Sequence, residues 1–228
     1  MRSDIFHANN TAQQATQLGL TLQHSKSVKA CVNGEVYARQ GAMIGYRGQF
    51  AFEVKSQGLG NLVKRFATGE GVPLMSCRGQ GEVWFAHHAS DCFLIDLDPG
   101  DSLSINGKHI LVYEPTLGYD IQMVSGAGAG AFVGGGLFNC VFQGQGRLAI
   151  TSHGQPIVVP VSHQQPVFAD SDALIGWSSG LQTSIVRTQS FGSMLRGGSG
   201  EVAQVRFLGE GFVILQPSEF NFGPTSSK

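Results

Sequence analysis

Three glycine triplets, spaced 65 residues apart, constrain the fold of this chain more than any other feature of its sequence. They are Gly79-Gln80-Gly81, Gly144-Gln145-Gly146 and Gly209-Glu210-Gly211. On both sides of each triplet apolar residues alternate with a period of two, which is typical of strands with one buried face. Glycine also tolerates the positive φ angles of tight turns. The pattern therefore predicts one β-hairpin in each of three repeats. The alternating residues are Met75, Cys77, Val83 and Phe85; Cys140, Phe142, Leu148 and Ile150; and Val205, Phe207, Val213 and Leu215.

A second pair of apolar segments lies upstream of each triplet. Its turns fall at residues 39–41, 106–108 and 170–172, and the middle one contains Asn-Gly, a strong hairpin signal. The spacing predicts a second hairpin in each repeat. The first arms contain Val36 and Ala38, Leu103 and Ile105, and Val167 and Ala169, and the second arms begin at Met43, Ile110 and Leu174.

The chain of 228 residues is predicted to form one all-β domain over residues 1–228. Its three repeats cover about 20–86, 87–151 and 152–216, and a tail follows at 217–228. Short strands bounded by Gly, Asn, Asp and Pro predict that each repeat is a short double-stranded β-helix or β-sandwich unit. One short helix is predicted around Leu59–Phe66, where apolar residues follow helical spacing, and a similar turn at 190–197.

Composition limits the function classes. The net charge is −1, with 15 basic and 16 acidic residues, so the chain lacks the positive charge that drives nucleic-acid binding. Its four cysteines contain no C-x-x-C pair and are predicted to be reduced. No run of about 18 apolar residues predicts a membrane span. The polar N-terminal segment resembles neither a signal peptide nor a transit peptide, which predicts a cytoplasmic protein.

The first repeat carries a family resemblance. Lys64-Arg65, Gly69-Glu70 and the segment from Gly79 to Ala86 resemble, in order, the signature of the altered-inheritance-of-mitochondria 24 family. The resemblance implies a fold similar to the tryptophan RNA-binding attenuation protein, tripled within one chain, and units that assemble side by side. It assigns no established activity. Lys64, Arg65, Gly69, Glu70, Gly79 and Gly81 are therefore motif residues without an assigned role.

Candidate metal ligands are sparse. His88 and His153 occupy matching places just after two of the glycine triplets, but the third repeat has Ser218 there. Two ligands make an incomplete metal site, so loop histidines are the simpler interpretation. Four aspartates, Asp91, Asp96, Asp98 and Asp101, could hold Ca²⁺, although the apolar residues between them favour the polar face of a strand. The glycine-rich run at 126–136 lacks the Gly-Lys-Ser/Thr of a phosphate-binding loop.

Because the repeated positions are glycines and apolar residues, the chain is predicted to be a non-enzymatic binding or scaffold protein that forms homo-oligomers. No cofactor, catalytic residue or membrane partner is predicted. The alternative is RNA or small-ligand binding by analogy of fold, with no ligand identified and with RNA disfavoured by the charge. A third hypothesis is a metal-dependent enzyme with a cupin-like site.

Overall fold

The computed structural model describes residues 2–12, 17–54, 73–123, 138–186 and 204–218, and nearly all of its regular structure is β. The predicted helices around 59–66 and 190–197 lie outside the described residues. Short 3-10 helices occur at Asp4–Phe6, Ala8–Asn10 and Gly107–His109. The strands are β1 (Gly19–His24), β2 (Ser27–Arg39), β3 (Met43–Val54), β4 (Leu74–Phe85), β5 (Asp91–Leu97), β6 (Ser102–Asn106), β7 (Ile110–Tyr113), β8 (Gly118–Met123), β9 (Phe138–Gln143), β10 (Gly146–Ser152), β11 (Ile157–Val161), β12 (Val167–Asp170), β13 (Leu174–Ser178), β14 (Gln182–Val186), β15 (Gln204–Leu208) and β16 (Gly211–Leu215).

The strands form three antiparallel sheets. The largest has the order β3-β4-β2-β7-β10-β5, with β1 also paired to β2. A second sheet has the order β11-β16-β13-β6-β9-β8, and a third has the order β12-β15-β14. Two of these sheets are continuous across the boundaries of the predicted repeats, because β2 pairs with β7 and β6 pairs with β13. The division of the chain into three repeats stays a prediction.

The first glycine triplet lies inside one long strand instead of at a turn. β4 runs unbroken for 12 residues, pairs along its whole length with β2 on one side, and pairs from Met75 to Phe85 with β3 on the other. At the level of the triplet Gly48 stands opposite Gly81, with φ angles of +119° and +139°. A Cβ atom built on Gly81 would lie 2.0 Å from the Arg47 carbonyl oxygen. Only glycine therefore lets β3 and β4 approach so closely here.

The predicted hairpins are wrong, although the strands that form their arms are present. β9 and β10 flank the second triplet but belong to different sheets, as do β15 and β16 at the third. The upstream arms behave in the same way, because β6 and β7 belong to different sheets, as do β12 and β13. β2 and β3 pair with β4 instead of with each other. The connecting residues thus carry the chain from one sheet to the next, and alternation alone does not identify a strand's partner.

The apolar faces of the sheets bury three clusters of side chains. The first surrounds Val28 and Phe85, and the third surrounds Trp177 and Phe207. The middle cluster joins all three predicted repeats, since it contains side chains from β4, β9 and β13. Its members include Leu74, Phe142 and Ile175, each buried. This shared cluster favours a single cooperative domain.

A half-buried arginine, Arg39, bridges the junction between β2 and β7. Arg39 donates hydrogen bonds to the carbonyl oxygens of Gly107, Lys108 and Ile110. Burial lowers the pKa of Arg39 to about 10. The guanidinium stays protonated at neutral pH, and its N–H groups donate to carbonyls of the 3-10 turn before β7 and of the first residue of β7.

We expect Arg39→Met to lower the free energy of unfolding by about 2 kcal/mol, because three partly buried carbonyls lose their donor. Urea denaturation at pH 7.5 measures the change. Arg78→Met is the matched control, since Arg78 is exposed and its ion pair with Glu35 lies at the surface. Such a pair contributes about 1 kcal/mol or less. Equal decreases of the free energy of unfolding in the two variants would contradict a stabilising role for the Arg39 hydrogen bonds.

Candidate functional site

The residues of the family motif divide into two groups. Lys64, Arg65, Gly69 and Glu70 lie outside the described residues, so their role stays open. Gly79 and Gly81 lie in β4, where the backbones of β3 and β4 come into close contact. The structure thus gives Gly79 and Gly81 a packing role in the fold.

Histidines gather near the junction between the first and second predicted repeats. His87 and His88 follow β4, and their ring centroids lie 4.2 Å apart. His88 is exposed and has a φ of +47°, an uncommon value for a residue with a side chain. Burial lowers the pKa of His87 to about 4, and the positive charges of Arg39, His88 and His153 act in the same direction. The two weak candidates from the sequence, His88 and His153, therefore lie near a common neighbour.

His109 is the most buried histidine of this region. Its Nδ1 donates a hydrogen bond to the Thr151 carbonyl oxygen at 2.8 Å, and the Thr151 hydroxyl donates to the His109 carbonyl. Burial lowers the pKa of His109 to about 4, against the opposing effect of the Thr151 bond. Arg39, Lys108 and His153 lower it further. The ring is neutral at pH 7 and has a structural role in joining β10 to the turn before β7.

The histidines do not converge as metal ligands. Within the described ranges no group of three or more His, Cys, Asp or Glu side chains could hold a metal ion. The aspartates considered for calcium are also engaged. Asp91 pairs with Lys26 at 2.7 Å and Asp96 with Arg147, while the Asp101 carboxylate accepts a bond from the Asp98 backbone. These aspartates act as surface ion pairs and a turn cap.

A groove of about 510 Å³ lies beside the glycine crossing of β3 and β4. Its lining includes Arg47, Glu82 and the half-buried Cys31. The Glu82 carboxylate accepts two hydrogen bonds from the Arg47 guanidinium. The Lys29 Nζ lies 3.7 Å from the Glu82 Oε1. The Arg47 guanidinium also lies over the Trp84 ring, 5.9 Å from its centroid. Because these charges are engaged with one another, the groove offers little unpaired charge to a ligand.

Exposed apolar side chains lie on several strands, including β3 and β12, each of which is the outermost strand of its sheet among the described residues. Ile44 and Tyr46 on β3 are 63% and 51% exposed, and Phe168 on β12 is 51% exposed. The matching residues of the other repeats are buried: Leu111 and Ile175 are both 0% exposed, Tyr113 is 0% and Trp177 is 4% exposed. Large apolar side chains exposed beside an uncovered strand edge are a feature that many interaction surfaces share. We call Ile44 and Tyr46 the β3 edge, and Phe168 the β12 edge.

Sequence reasoning missed this surface. Tyr46, Tyr113 and Trp177 occupy matching places in the second arms of the predicted repeats, and the sequence alone does not distinguish Tyr46 from the other two. The signal that could have found it is topological. In a linear array of repeats, the first and last units each lack one neighbour, so the residues that meet a neighbour elsewhere are left open there.

Over the residues that the structure describes, these features define an all-β protein of three antiparallel sheets with exposed apolar side chains on several strands. The chain belongs to the family described as Mitochondrial biogenesis AIM24, whose model matches residues 21–218. No curated protein matches the chain. In the part of the chain that the structure describes, no helix is long and apolar enough to cross a membrane.

A solved structure shares the fold. The X-ray crystal structure of protein SPYM3_0169 from Streptococcus pyogenes superposes with a TM-score of 0.68 at 20% sequence identity. The match covers 89% of this chain and 93% of that one. At this identity the likeness shows the fold alone.

Proposed function

We propose that this chain is a non-enzymatic scaffold whose partner is a further copy of itself. The observation that supports the proposal is the exposure of Ile44, Tyr46 and Phe168 on strands at sheet edges, with Ile44 and Tyr46 at positions where the other predicted repeats bury their side chains. A monomer that kept these edges in water would leave apolar surface hydrated and strand backbones without a partner strand.

The chemistry of the molecule agrees with a binding role. The buried His109 ring bonds to the Thr151 backbone, Arg47 and Glu82 in the groove bond to each other, and Gly79 and Gly81 serve close packing. The low content of charged residues, 14%, also suits a chain whose surface is partly covered by copies. RNA binding, small-ligand binding and a metal-dependent activity stay predictions from the sequence.

Sedimentation velocity with light scattering tests the proposal. Across roughly 1 to 100 µM protein, a range that covers ordinary protein affinities, we expect an average mass of two or more chains, increasing with concentration if exchange is fast. The mass of a single chain at every concentration would contradict self-association.

A further inference from the structure

The chain already contains two examples of the contact that its exposed edges could make. At the first junction β2 pairs with β7, with Tyr37 opposite Tyr113 and Ala38 opposite Val112. The two tyrosine rings lie with centroids 5.4 Å apart. At the second junction β6 pairs with β13, and Ser104 stands opposite Trp177. Both junctions are antiparallel, and each extends one sheet across a repeat boundary.

A third junction of the same kind is left open. In the predicted repeats, β12 corresponds to β6 and to the second half of β2, while the first half of β3 corresponds to β7 and β13. Within the described residues β12 pairs only with β15, and β3 pairs only with β4. Among the described strands, each of the two therefore has one edge without a partner strand, and these free edges correspond to the two halves of the contact seen at the internal junctions.

The side chains at the free edges suit each other. The register of the internal junctions would place Phe168 opposite Tyr46, as Tyr37 is opposite Tyr113. Cross-strand aromatic pairs of this kind stabilise antiparallel sheets. Ile44 would become covered like Leu111 and Ile175, which are fully buried at the internal junctions. One contact would thus cover all three exposed residues.

We propose that β12 of one copy pairs antiparallel with β3 of a second copy, with Phe168 of the first opposite Tyr46 of the second. The inference rests on the proposed function and names the surface and register through which copies meet. Because the two surfaces differ, the contact is heterologous, so it builds either a closed ring or an open chain of copies.

One difference from the internal junctions sets the strength of the contact. Arg39 and Asn106 donate hydrogen bonds across the first and second junctions, to Ile110 and Leu174 among others. Asp170 stands at their place in β12 and has no donor to offer. The contact between copies therefore depends on the strand ladder and apolar burial, and it is weaker and more reversible than the internal junctions.

A paired cysteine variant tests the register. In the Tyr46→Cys/Phe168→Cys protein, mild oxidation should join copies covalently, giving a ladder of dimers and larger species on a non-reducing gel. The two single variants are the controls, because each carries the same native cysteines. Three of those, Cys77, Cys92 and Cys140, are buried. The single variants should give little cross-linking.

Two outcomes of the cross-linking would overturn the proposal. A disulfide formed only within one chain would show that β12 closes onto β3 of the same molecule. Absence of cross-linking in a protein whose wild type is oligomeric would show that copies meet through another surface, and the proposed function would survive. A wild type that is monomeric throughout would instead remove the proposed function itself.

Charge substitutions provide a second measurement that needs no disulfide. Ile44→Asp puts a carboxylate in the middle of the proposed contact and should weaken self-association by roughly tenfold or more. Val158→Asp is the matched control, since Val158 on β11 is 61% exposed and lies on a different sheet edge. It should leave the oligomer mass unchanged. Dissociation by Val158→Asp with no effect of Ile44→Asp would place the interface at β11.

Discussion

Gly81→Ala should destabilise the folded protein by about 4 kcal/mol, at the upper end of what a single substitution does. The added methyl group would sit 2.0 Å from the Arg47 carbonyl oxygen and 3.0 Å from the Gly48 Cα. Both are backbone atoms in a paired strand, so neither can turn aside as a flexible side chain would. The φ of Gly81, +139°, adds strain for any residue with a Cβ. Separation of β3 from β4 would relieve the clash, but it would break the backbone hydrogen bonds between the two strands.

Thermal unfolding followed by circular dichroism measures the effect of Gly81→Ala. For a chain of this size, we expect the Tm to fall by roughly 10 °C. Gly180→Ala is the matched control, because nothing lies within 4 Å of a Cβ built on Gly180. Its Tm should stay within about 2 °C of the wild type, as for an ordinary surface substitution. Similar losses in the two variants would contradict the close approach as the cause.

Acidification from pH 6.5 to 4.5 should lower the free energy of unfolding, and His109 should account for about 2 to 3 kcal/mol of the loss. The pKa of His109 in the folded protein is about 4, below the 6.5 of a free histidine. Between pH 6.5 and about 4, His109 is therefore mostly protonated in the unfolded chain and mostly neutral in the folded chain. Stability then falls as the pH falls, until the folded pKa is reached. His87, with its pKa also about 4, acts in the same direction.

His109→Asn isolates this effect, because asparagine keeps an N–H donor for the Thr151 carbonyl and cannot be protonated in this range. Urea denaturation at several pH values should show that the free energy of unfolding changes less steeply with pH in His109→Asn than in the wild type. This holds even if the substitution also changes the stability at pH 7.5. His163→Asn is the control, since His163 is exposed. The carboxylates with lowered pKa values, Glu35 and Asp96, contribute at still lower pH. An unchanged slope in His109→Asn would contradict the assignment.

The sequence was sufficient to predict the all-β class, the family and the apolar faces of the strands. Residues such as Val83, Phe85 and Phe142, selected by alternation alone, are fully buried. The prediction of hairpins was wrong for a physical reason. Alternation with a period of two reports which face of a strand is buried, and it carries no information about which neighbour the strand pairs with. The glycines around Gly81 were therefore interpreted as turns, although they allow β3 and β4 to pack closely.

The candidate site was predicted less well than the fold. His88 and His153 were selected by matching positions, and they do lie near a common neighbour, His87. The exposed edges at Tyr46 and Phe168 were missed, because their residue types are those of a core. Exposure at a strand edge depends on whether another strand covers it, and that is decided by the order of strands in the sheets.

The unbroken length of β2, β3 and β4 has a consequence for the order in which the molecule opens. These three strands share a ladder of up to 12 residue pairs, whereas the strands of the second and third sheets pair over three to six. Exposing amides in the middle of β4 requires both long ladders to be lost together. Native-state hydrogen exchange should therefore find the slowest amides in β4 and faster exchange in β12 and β14. The N-terminal third of the chain would then act as the last cooperative unit to unfold.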